Sequence, residues 1–251
     1  MELGIGCCGF PVARERYVSE FDVVEIQQTF YHPPRVETAR KWRATVPPGF
    51  EFTVKAWQLI THSPESPTYR RLKREIPPAE RERYGLFRPT DEVFAAWDET
   101  RRIAGALAAC LVLFQSPPRF TPTAEHLNNM RRFFSSIDRA GLLLAWEPRG
   151  DWPAETVRGL CGELELIHCV DPFRNDPLAG TPLYLRLHGR DGYRYRYTDE
   201  ELAALLRRLA GWGRPAYVMF NNVFMYDDAR RFARMARGGT EWGRTGERAE
   251  D

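Results

Sequence analysis

Residues 142–171 read LLLAWEPRGDWPAETVRGLCGELELIHCVD, and this stretch decides the fold class. Its two ends, Leu142–Glu147 and Leu166–Asp171, are short and mostly apolar, as strands of a parallel sheet are. The segment between them, Ala154–Leu164, repeats apolar residues at the spacing of a helix. A strand, a helix and a second strand in this order predict one parallel βαβ unit.

The same alternation continues on both sides of this unit. The other predicted strands are Leu3–Cys8, Val23–Gln27, Phe50–Ala56, Cys110–Gln115, Leu183–His188 and Ala216–Asn222. The other clear helices are Asp91–Leu107, Thr123–Arg139, Thr198–Leu209 and Tyr226–Ala236. Several helices begin at a residue that caps helix N-termini, such as Asp91, Thr123 or Thr198. Eight strands with helices between them favour a barrel.

The fold class that we predict is α/β, a single (β/α)8 TIM barrel. An open doubly wound sheet is the competing architecture, but no GxGxxG or GxxxxGK[ST] motif follows a predicted strand. A chain of 251 residues suits one barrel domain, which we place at residues 1–236. Residues 237–251 are rich in glycine and charge, so we expect a flexible tail there.

Composition narrows the partners and the compartment. The chain has 36 basic and 34 acidic residues, and this balance does not require a polyanionic partner. Its five cysteines show no CxxC spacing, which favours a reducing cytoplasm over a disulfide framework. No targeting segment precedes the first strand, and no apolar run approaches the roughly 20 residues that cross a bilayer. We therefore expect a cytoplasmic protein without a membrane partner.

A long connection, residues 57–90, follows the third strand. It is rich in arginine, and the run Arg70–Arg74 is the most basic part of it. Because long loops often carry function, it could cover the mouth of the barrel as a lid. A solvated excursion without a binding role is the competing interpretation. Nucleic acid is a possible partner of the basic run.

Polar residues mark the carboxyl ends of the strands. Side chains alternate between the two faces of a strand, so residues two apart share a face. This parity places one polar set toward the barrel interior, namely Glu25, Gln27, Thr53, Lys55, Gln115, Glu147, Arg149, Asp171, Arg186, His188 and Asn221. Barrel enzymes assemble their catalytic groups at this end. A network of internal salt bridges is the competing explanation.

Residue chemistry suggests roles for the polar set. Arg149 and Arg186 could grip a phosphate or carboxylate, and His188 could transfer a proton near neutral pH. Lys55 stands out because the chain has only three lysines against 33 arginines. Buried near Glu25 or Glu147, it could orient a carboxylate, bind a substrate oxygen or act as a base. The catalytic candidates are Glu25, Lys55, Glu147 and His188.

A metal site is less well supported. His62, His188 and the three carboxylates of the polar set could supply ligands, but no HExxH motif or close His/Cys cluster constrains them. We predict no cofactor and assign no metal ligand, and a divalent metal remains an alternative. Cys7 and Cys8 are interpreted as small buried residues rather than nucleophiles.

Several separated motifs carry a family resemblance. They are residues 4–9 (GIGCCG), 24–31 (VEIQQTFY), 52–56 (FTVKA), 60–62 (ITH), 114–118 (FQSPP), 147–152 (EPRGDW), 184–189 (YLRLHG) and 220–222 (FNN). With them the chain resembles, over nearly its full length, the YecE-like family, a domain of unknown function numbered seventy-two. The resemblance implies a barrel with a polar cavity at its C-terminal end, and no known reaction. Gly150 stands where the family commonly has histidine, so a role for that histidine does not transfer.

These patterns leave three classes of function open. The leading hypothesis is an acid/base enzyme, a hydrolase, lyase or isomerase, that acts on a small anionic molecule at the C-terminal mouth. The substrate-binding candidates are Gln27, Tyr31, His62, Gln115, Arg149, Asp171, Arg186 and Asn221. The alternatives are a noncatalytic protein that binds an anionic metabolite or nucleic acid, and a metal-dependent nuclease or isomerase.

Overall fold

The computed structural model describes residues 2–238 of the chain. Eight parallel strands pair in chain order and close into a barrel, with β1 between β2 and β8. The strands are Leu3–Cys8 (β1), Val23–Ile26 (β2), Glu51–Lys55 (β3), Leu111–Ser116 (β4), Leu143–Pro148 (β5), Ile167–Val170 (β6), Leu183–Leu187 (β7) and Ala216–Phe220 (β8). The predicted (β/α)8 barrel is confirmed.

Helices surround the barrel. They are Arg14–Glu20 (α1), Gln28–Tyr31 (α2), Val36–Ala44 (α3), Gln58–Thr61 (α4), Asp91–Leu107 (α5), Ala124–Ser136 (α6), Ala154–Glu163 (α7), Asp199–Trp212 (α8) and Met225–Ala236 (α9). Local chemistry starts two of them: Thr198 and Glu201 form a capping box at α8, and the Thr123 hydroxyl accepts from the His126 N–H at α6. The short helices α1 to α4 were not among those predicted.

The alternation fails once within the described residues. Between β6 and β7, residues 171–182 form turns and a loop but no helix. Proline occupies positions 172, 177 and 182 of this segment, and proline lacks the N–H that a helix interior requires. The loop instead lies along β6, where the His168 N–H donates to the Ala179 carbonyl oxygen at 3.1 Å. The outer face of β6 therefore contacts α7 and this loop, and no helix of its own follows the strand.

Two hydrophobic layers hold the barrel. The larger layer lies between the strands and the helices, and the smaller one fills the interior. The interior layer includes Val23, Leu113, Ile167 and Met219, all with their side chains inside the barrel. Above it, toward the carboxyl ends of the strands, the interior becomes polar with Glu25, Lys55, Glu147 and Arg186. The fold thus closes the barrel with apolar side chains below and gathers charge at the mouth.

The long connection after β3 is partly built into the molecule. It contains α4 and two short 3-10 helices, Pro67–Arg71 and Pro78–Arg83. Its second half is anchored because Phe87 is fully buried and packs against Phe114, Phe120 and Phe133. Its first half lies near the mouth, where the Arg71 guanidinium stacks 3.6 Å from the centre of the Tyr31 ring. A role as a lid stays a prediction.

The chain ends of the predicted domain are only partly described. Residues 239–251, most of the predicted flexible tail, lie outside the described residues. Arg237 follows α9 and pairs with Asp22 across the N-terminal side of β2. No helix within residues 2–238 is long and apolar enough to span a membrane.

Candidate active site

Arg186 on β7 organises the mouth of the barrel. Its Nη2 lies 2.9 Å from Glu25 Oε1 on β2, and its Nη1 lies 2.5 Å from Glu147 Oε2 on β5. The other Glu25 oxygen accepts from the Tyr184 hydroxyl at 2.8 Å. Glu25 and Arg186 are 0% and 1% exposed. A buried guanidinium between two carboxylates compensates charges that would otherwise be costly in the interior.

Glu147 links this buried pair to the cavity. Its second oxygen, Oε1, accepts from Arg149 Nη2 at 2.8 Å. Burial alone would raise the pKa of Glu147, but the cations of Arg186 and Arg149 lower it to about 2. Both Glu147 oxygens are therefore engaged, and the carboxylate stays charged. A group in this state is a weak base and holds no proton to donate.

His188 contacts the same arginine with its ring. Arg149 Nη2 lies 2.5 Å from His188 Nε2, and a guanidinium can only donate. Nε2 must therefore accept, so the proton of the neutral ring is on Nδ1, 3.6 Å from Asp171 Oδ2. Burial lowers the pKa of His188, so the neutral ring is the stable form. Asp171 is held in turn by the backbone N–H groups of Phe173 at 3.0 Å and His188 at 3.1 Å.

Lys55 lies apart from the carboxylates. Within residues 2–238 no carboxylate oxygen is within 4 Å of its Nζ, which instead lies 4.0 Å from the centre of the Phe30 ring. The side chain is 8% exposed. Burial lowers the pKa of Lys55 to about 8, and the nearby Arg186 adds to the shift. The pairing with Glu25 or Glu147 that the sequence suggested does not form, because Arg186 occupies both carboxylates.

His62 borders Lys55 on the same side of the mouth. Its Nδ1 lies 2.8 Å from the Thr61 hydroxyl, and its ring meets the edge of Phe30 at 4.9 Å between centres. Burial, together with the charge of Lys55, lowers the pKa of His62 to about 3. The β3 side of the mouth therefore holds a buried ammonium next to a neutral imidazole.

A cavity of about 560 Å³ opens beside Arg149 and His188. Its polar lining includes Gln115, Glu147, Arg149, His168, Asp171, Arg174 and His188, and its apolar lining includes Pro118, Trp152, Val157 and Leu178. Gly150 also lines it, and a Cβ there would lie 2.3 Å from the Phe120 carbonyl oxygen. A histidine at this position, which the resemblance suggested, would not fit this backbone.

Not all of the predicted site residues reach this cavity. Arg186 is buried beneath the mouth and does not line this cavity, so a ligand there does not contact it directly. Lys55, on the β3 side of the mouth, does not line this cavity either. Gln27 caps α2 instead of ending β2, and its amide donates to Asn221 Oδ1 at 2.9 Å. Tyr31 lies at the rim under Arg71. The predicted set therefore spreads around the whole mouth, and only part of it shares one cavity.

Cavity residues that were absent from the predicted site include Trp152, His168 and Arg174. His168 has the opposite parity from the inward set, and the outer face of a barrel strand is normally covered by a helix. The prolines of residues 171–182 were the available signal that this helix is missing.

A metal site needs several side chains that can bind the ion together. Among residues 2–238, no group of three or more His, Cys, Asp or Glu side chains is arranged to hold a metal ion. Glu25 and Glu147 direct their oxygens at Arg186. A divalent metal therefore stays an alternative without an assigned ligand.

Comparisons with known proteins agree with the fold. A family model described as "Protein of unknown function DUF72" matches residues 13–248. A DUF72 family protein from Enterococcus faecalis has a similar structure, with a TM-score of 0.70, 18% identity and coverage of 99% of this chain and 100% of that one. One from Thermotoga maritima has a TM-score of 0.68, 20% identity and coverage of 94% and 100%.

Similarity of fold extends beyond this family. Endonuclease IV from Thermus thermophilus has a TM-score of 0.51 at 13% identity, covering 95% of this chain and 98% of that one. At such identity the likeness concerns the barrel alone. A comparison with curated protein sequences finds no match.

Proposed function

The chain belongs to the DUF72 family. We propose that its barrel mouth binds a small organic anion and transforms it by acid/base chemistry. The reaction class is that of a hydrolase, lyase or isomerase. Lys55 and Arg149 are the cations that meet the anion, and His188 is the proton-transfer group.

The state of Lys55 carries the proposal. Lys55 is 8% exposed, and among residues 2–238 no carboxylate lies within 4 Å of its ammonium, so this buried charge has no direct ion-pair partner and feels Glu147 and Glu25 only at longer range. Such a charge is costly in an interior of low dielectric. A ligand that brings a phosphate or carboxylate to Lys55 would supply the missing opposite charge.

Arg149 provides the second contact and links it to catalysis. Its side chain is 28% exposed, more than Glu147 or Arg186, so its guanidinium is accessible from the cavity. The same guanidinium donates to His188 Nε2. An anion that draws the Arg149 donors toward itself would release the Nε2 lone pair, and His188 could then accept a proton while Asp171 faces its Nδ1–H.

The buried carboxylates have a positioning role in this proposal. Glu25 and Glu147 each use both oxygens, and the pKa of Glu147 is about 2. They hold Arg186 and Arg149 in place rather than exchange protons. Of the four catalytic candidates from the sequence, His188 retains the acid/base role in this proposal, and Lys55 becomes a cation that binds the anion.

The binding step is tested with sulfate, whose charge does not change near neutral pH. Calorimetric titration of the purified protein is expected to show binding that Lys55→Met weakens at least tenfold. Lys73→Met is the matched control, because Lys73 is exposed and its removal changes the net charge equally. Equal affinity of parent and Lys55→Met would contradict the proposal.

The catalytic step is tested by a screen of phosphorylated and carboxylated metabolites. For a substrate found in this way, His188→Gln is expected to lower kcat by about 100-fold or more, the usual contribution of a general acid or base. Gln keeps a hydrogen-bonding amide near the position of Nε2, so binding should change little. Turnover that survives the substitution would remove His188 from the mechanism.

Nucleic acid is the alternative partner, through the exposed arginines of the 3-10 helix Pro67–Arg71 beside the mouth. Its binding should weaken steeply with salt and with Arg70→Glu, because phosphate contacts release counterions. If oligonucleotide binding changes neither with salt nor with Arg70→Glu, these arginines do not bind nucleic acid.

A further inference from the structure

The missing helix after β6 shapes the cavity beyond the mouth. His168 and Val170 alternate with the inward residues of β6, so their side chains point away from the barrel interior. Both line the cavity, together with Trp152 and Val157 near the start of α7 and Leu178 of the β6–β7 loop. The cavity therefore runs from Arg149 and His188 at the mouth onto the outer face of β6, where these apolar residues form a patch beside the polar side chains of Asn175 and Asp176.

His168 presents one hydrogen-bond donor on this wall. The Leu178 backbone N–H donates to His168 Nδ1 at 3.2 Å, so Nδ1 is an acceptor. Burial lowers the pKa of His168 to about 4, which keeps the ring neutral near pH 7. The single ring proton must then be on Nε2. Within residues 2–238 this Nε2–H has no hydrogen-bond partner in the protein, and it is not one of the fully enclosed polar atoms, so it is open to the cavity that His168 lines.

The carboxylates around the cavity are already engaged. Asp171 accepts two backbone N–H groups, Glu147 accepts from two arginines, and Asp176 pairs with Arg208. Arg149 and Arg174 at the mouth end provide donors for an anion. The cavity thus combines a cationic end with an apolar patch, and the His168 Nε2–H donor lies beside that patch.

We propose that this cavity accommodates the body of an organic anion, whose phosphate or carboxylate lies at Arg149 while an apolar body extends along β6. A carbonyl or hydroxyl oxygen on that body accepts from His168 Nε2–H. The inference rests on the proposed function and names the class of its substrate: an aryl or short-chain phosphate or carboxylate that carries one hydrogen-bond acceptor. His168 determines specificity and takes no part in proton transfer.

The test compares two probes on the whole protein, inorganic phosphate and 4-acetylphenyl phosphate. The second probe adds an apolar ring and a carbonyl acceptor to the same anionic group. We expect calorimetry to show that it binds at least tenfold more tightly than inorganic phosphate. Two variants should bring the ratio of the two affinities, that for 4-acetylphenyl phosphate over that for inorganic phosphate, close to one. Neither variant should change the affinity for inorganic phosphate.

The first variant, Ala154→Trp, fills the cavity from the exposed first turn of α7. Its matched control is Ala210→Trp on the exposed surface of α8, which should keep the parent ratio. The second variant, His168→Asn, keeps an acceptor for the Leu178 N–H and removes the Nε2 donor. Unfolding temperatures of all variants are measured on the same preparations.

The outcomes separate the two proposals. If inorganic phosphate binds but 4-acetylphenyl phosphate binds no better, or if its advantage survives both variants, the inference about the cavity is wrong and the anion site stands. If neither probe binds the parent protein, the proposed function itself fails and the inference fails with it.

Discussion

At the scale of the residue, Lys55 is a buried charge whose expected partners, Glu25 and Glu147, pair with Arg186 instead. The sequence placed it correctly on the inner face of β3, since it alternates with Phe52 and Val54. It could not show that Arg186, with its wider guanidinium fork, would bind both carboxylates. Parity gives the face of a strand, whereas the choice between two cations depends on distances across the barrel.

Lys55→Met is expected to stabilise the fold. A fall in the pKa from 10.5 to about 8 means that burying the charged form costs the parent about 3 kcal/mol of stability. The variant avoids this cost but loses the cation–π contact with Phe30, which stabilises the parent by about 1 kcal/mol. The free energy of unfolding at neutral pH should therefore rise by about 2 kcal/mol in chemical denaturation. The unfolded chain holds this proton up to pH 10.5, so the difference should shrink as pH rises above 8. A variant that is clearly less stable than the parent would mean that Lys55 is paired.

Arg149→Gln is expected to raise the pKa of His188. Burial lowers this pKa first, and the positive charges of Arg186 and Arg149 lower it further. The substitution removes one of these charges and frees Nε2 to accept a proton. A pH titration of the imidazole signals by NMR measures the change. Arg174→Gln at the rim of the cavity is the control, and an equal pKa in parent and Arg149→Gln would contradict the contact.

At the scale of the element, the strands were more predictable than the connections between them. Alternation along each strand placed Glu25, Glu147 and Arg186 toward the interior, and the structure brings them together. The helices α1, α2 and α4 were not predicted because their four to seven residues are too few to show a helical period, and the nine-residue α3 was missed as well. The absent helix after β6 was missed as well, and with it the outward-facing His168.

Arg186→Met is expected to cost about 3–5 kcal/mol of stability, because it leaves two buried carboxylates without a cation. This arginine joins β7 to β2 and β5 across the interior, so thermal unfolding should shift for the whole barrel. Adding Glu25→Gln removes one uncompensated charge and should recover part of the loss. A single variant as stable as the parent would show that the three strands do not depend on this network.

At the scale of the whole molecule, the family and the barrel could be anticipated from motifs and alternation, whereas the reaction could not. Chemistry at the mouth depends on which groups share hydrogen bonds. Two histidines that line one cavity, His168 and His188, hold their protons on different nitrogens because different donors reach them. Such tautomers follow from contacts and leave no trace in a single sequence.

The protein is expected to lose stability in mild acid. Burial lowers the pKa of His62 to about 3 and that of His168 to about 4, so below pH 6.5 the unfolded chain takes up protons that the folded chain refuses. Each histidine then lowers the free energy of unfolding by about 1.4 kcal/mol per pH unit. Glu147 adds to the loss of stability only between pH 4.5, its ordinary pKa, and about pH 2, its pKa in the folded protein.

Chemical denaturation at a series of pH values measures this loss. His168→Asn should show a shallower fall between pH 6.5 and about 4 than the parent does. Stability that stays constant across this interval would show that these rings are protonated in the folded state.

The central claim, an anion site beside an unpaired buried ammonium, is tested most directly by following the protonation of Lys55 itself. Selective labelling of the three lysines with ¹⁵N gives three Nζ signals, and Lys55→Met identifies the one that belongs to Lys55. In free protein this signal should titrate at a pKa of about 8, and saturating sulfate should raise the pKa because the anion favours the charged form. A Lys55 signal that titrates at the ordinary lysine value of 10.5, and that sulfate does not move, would contradict the account.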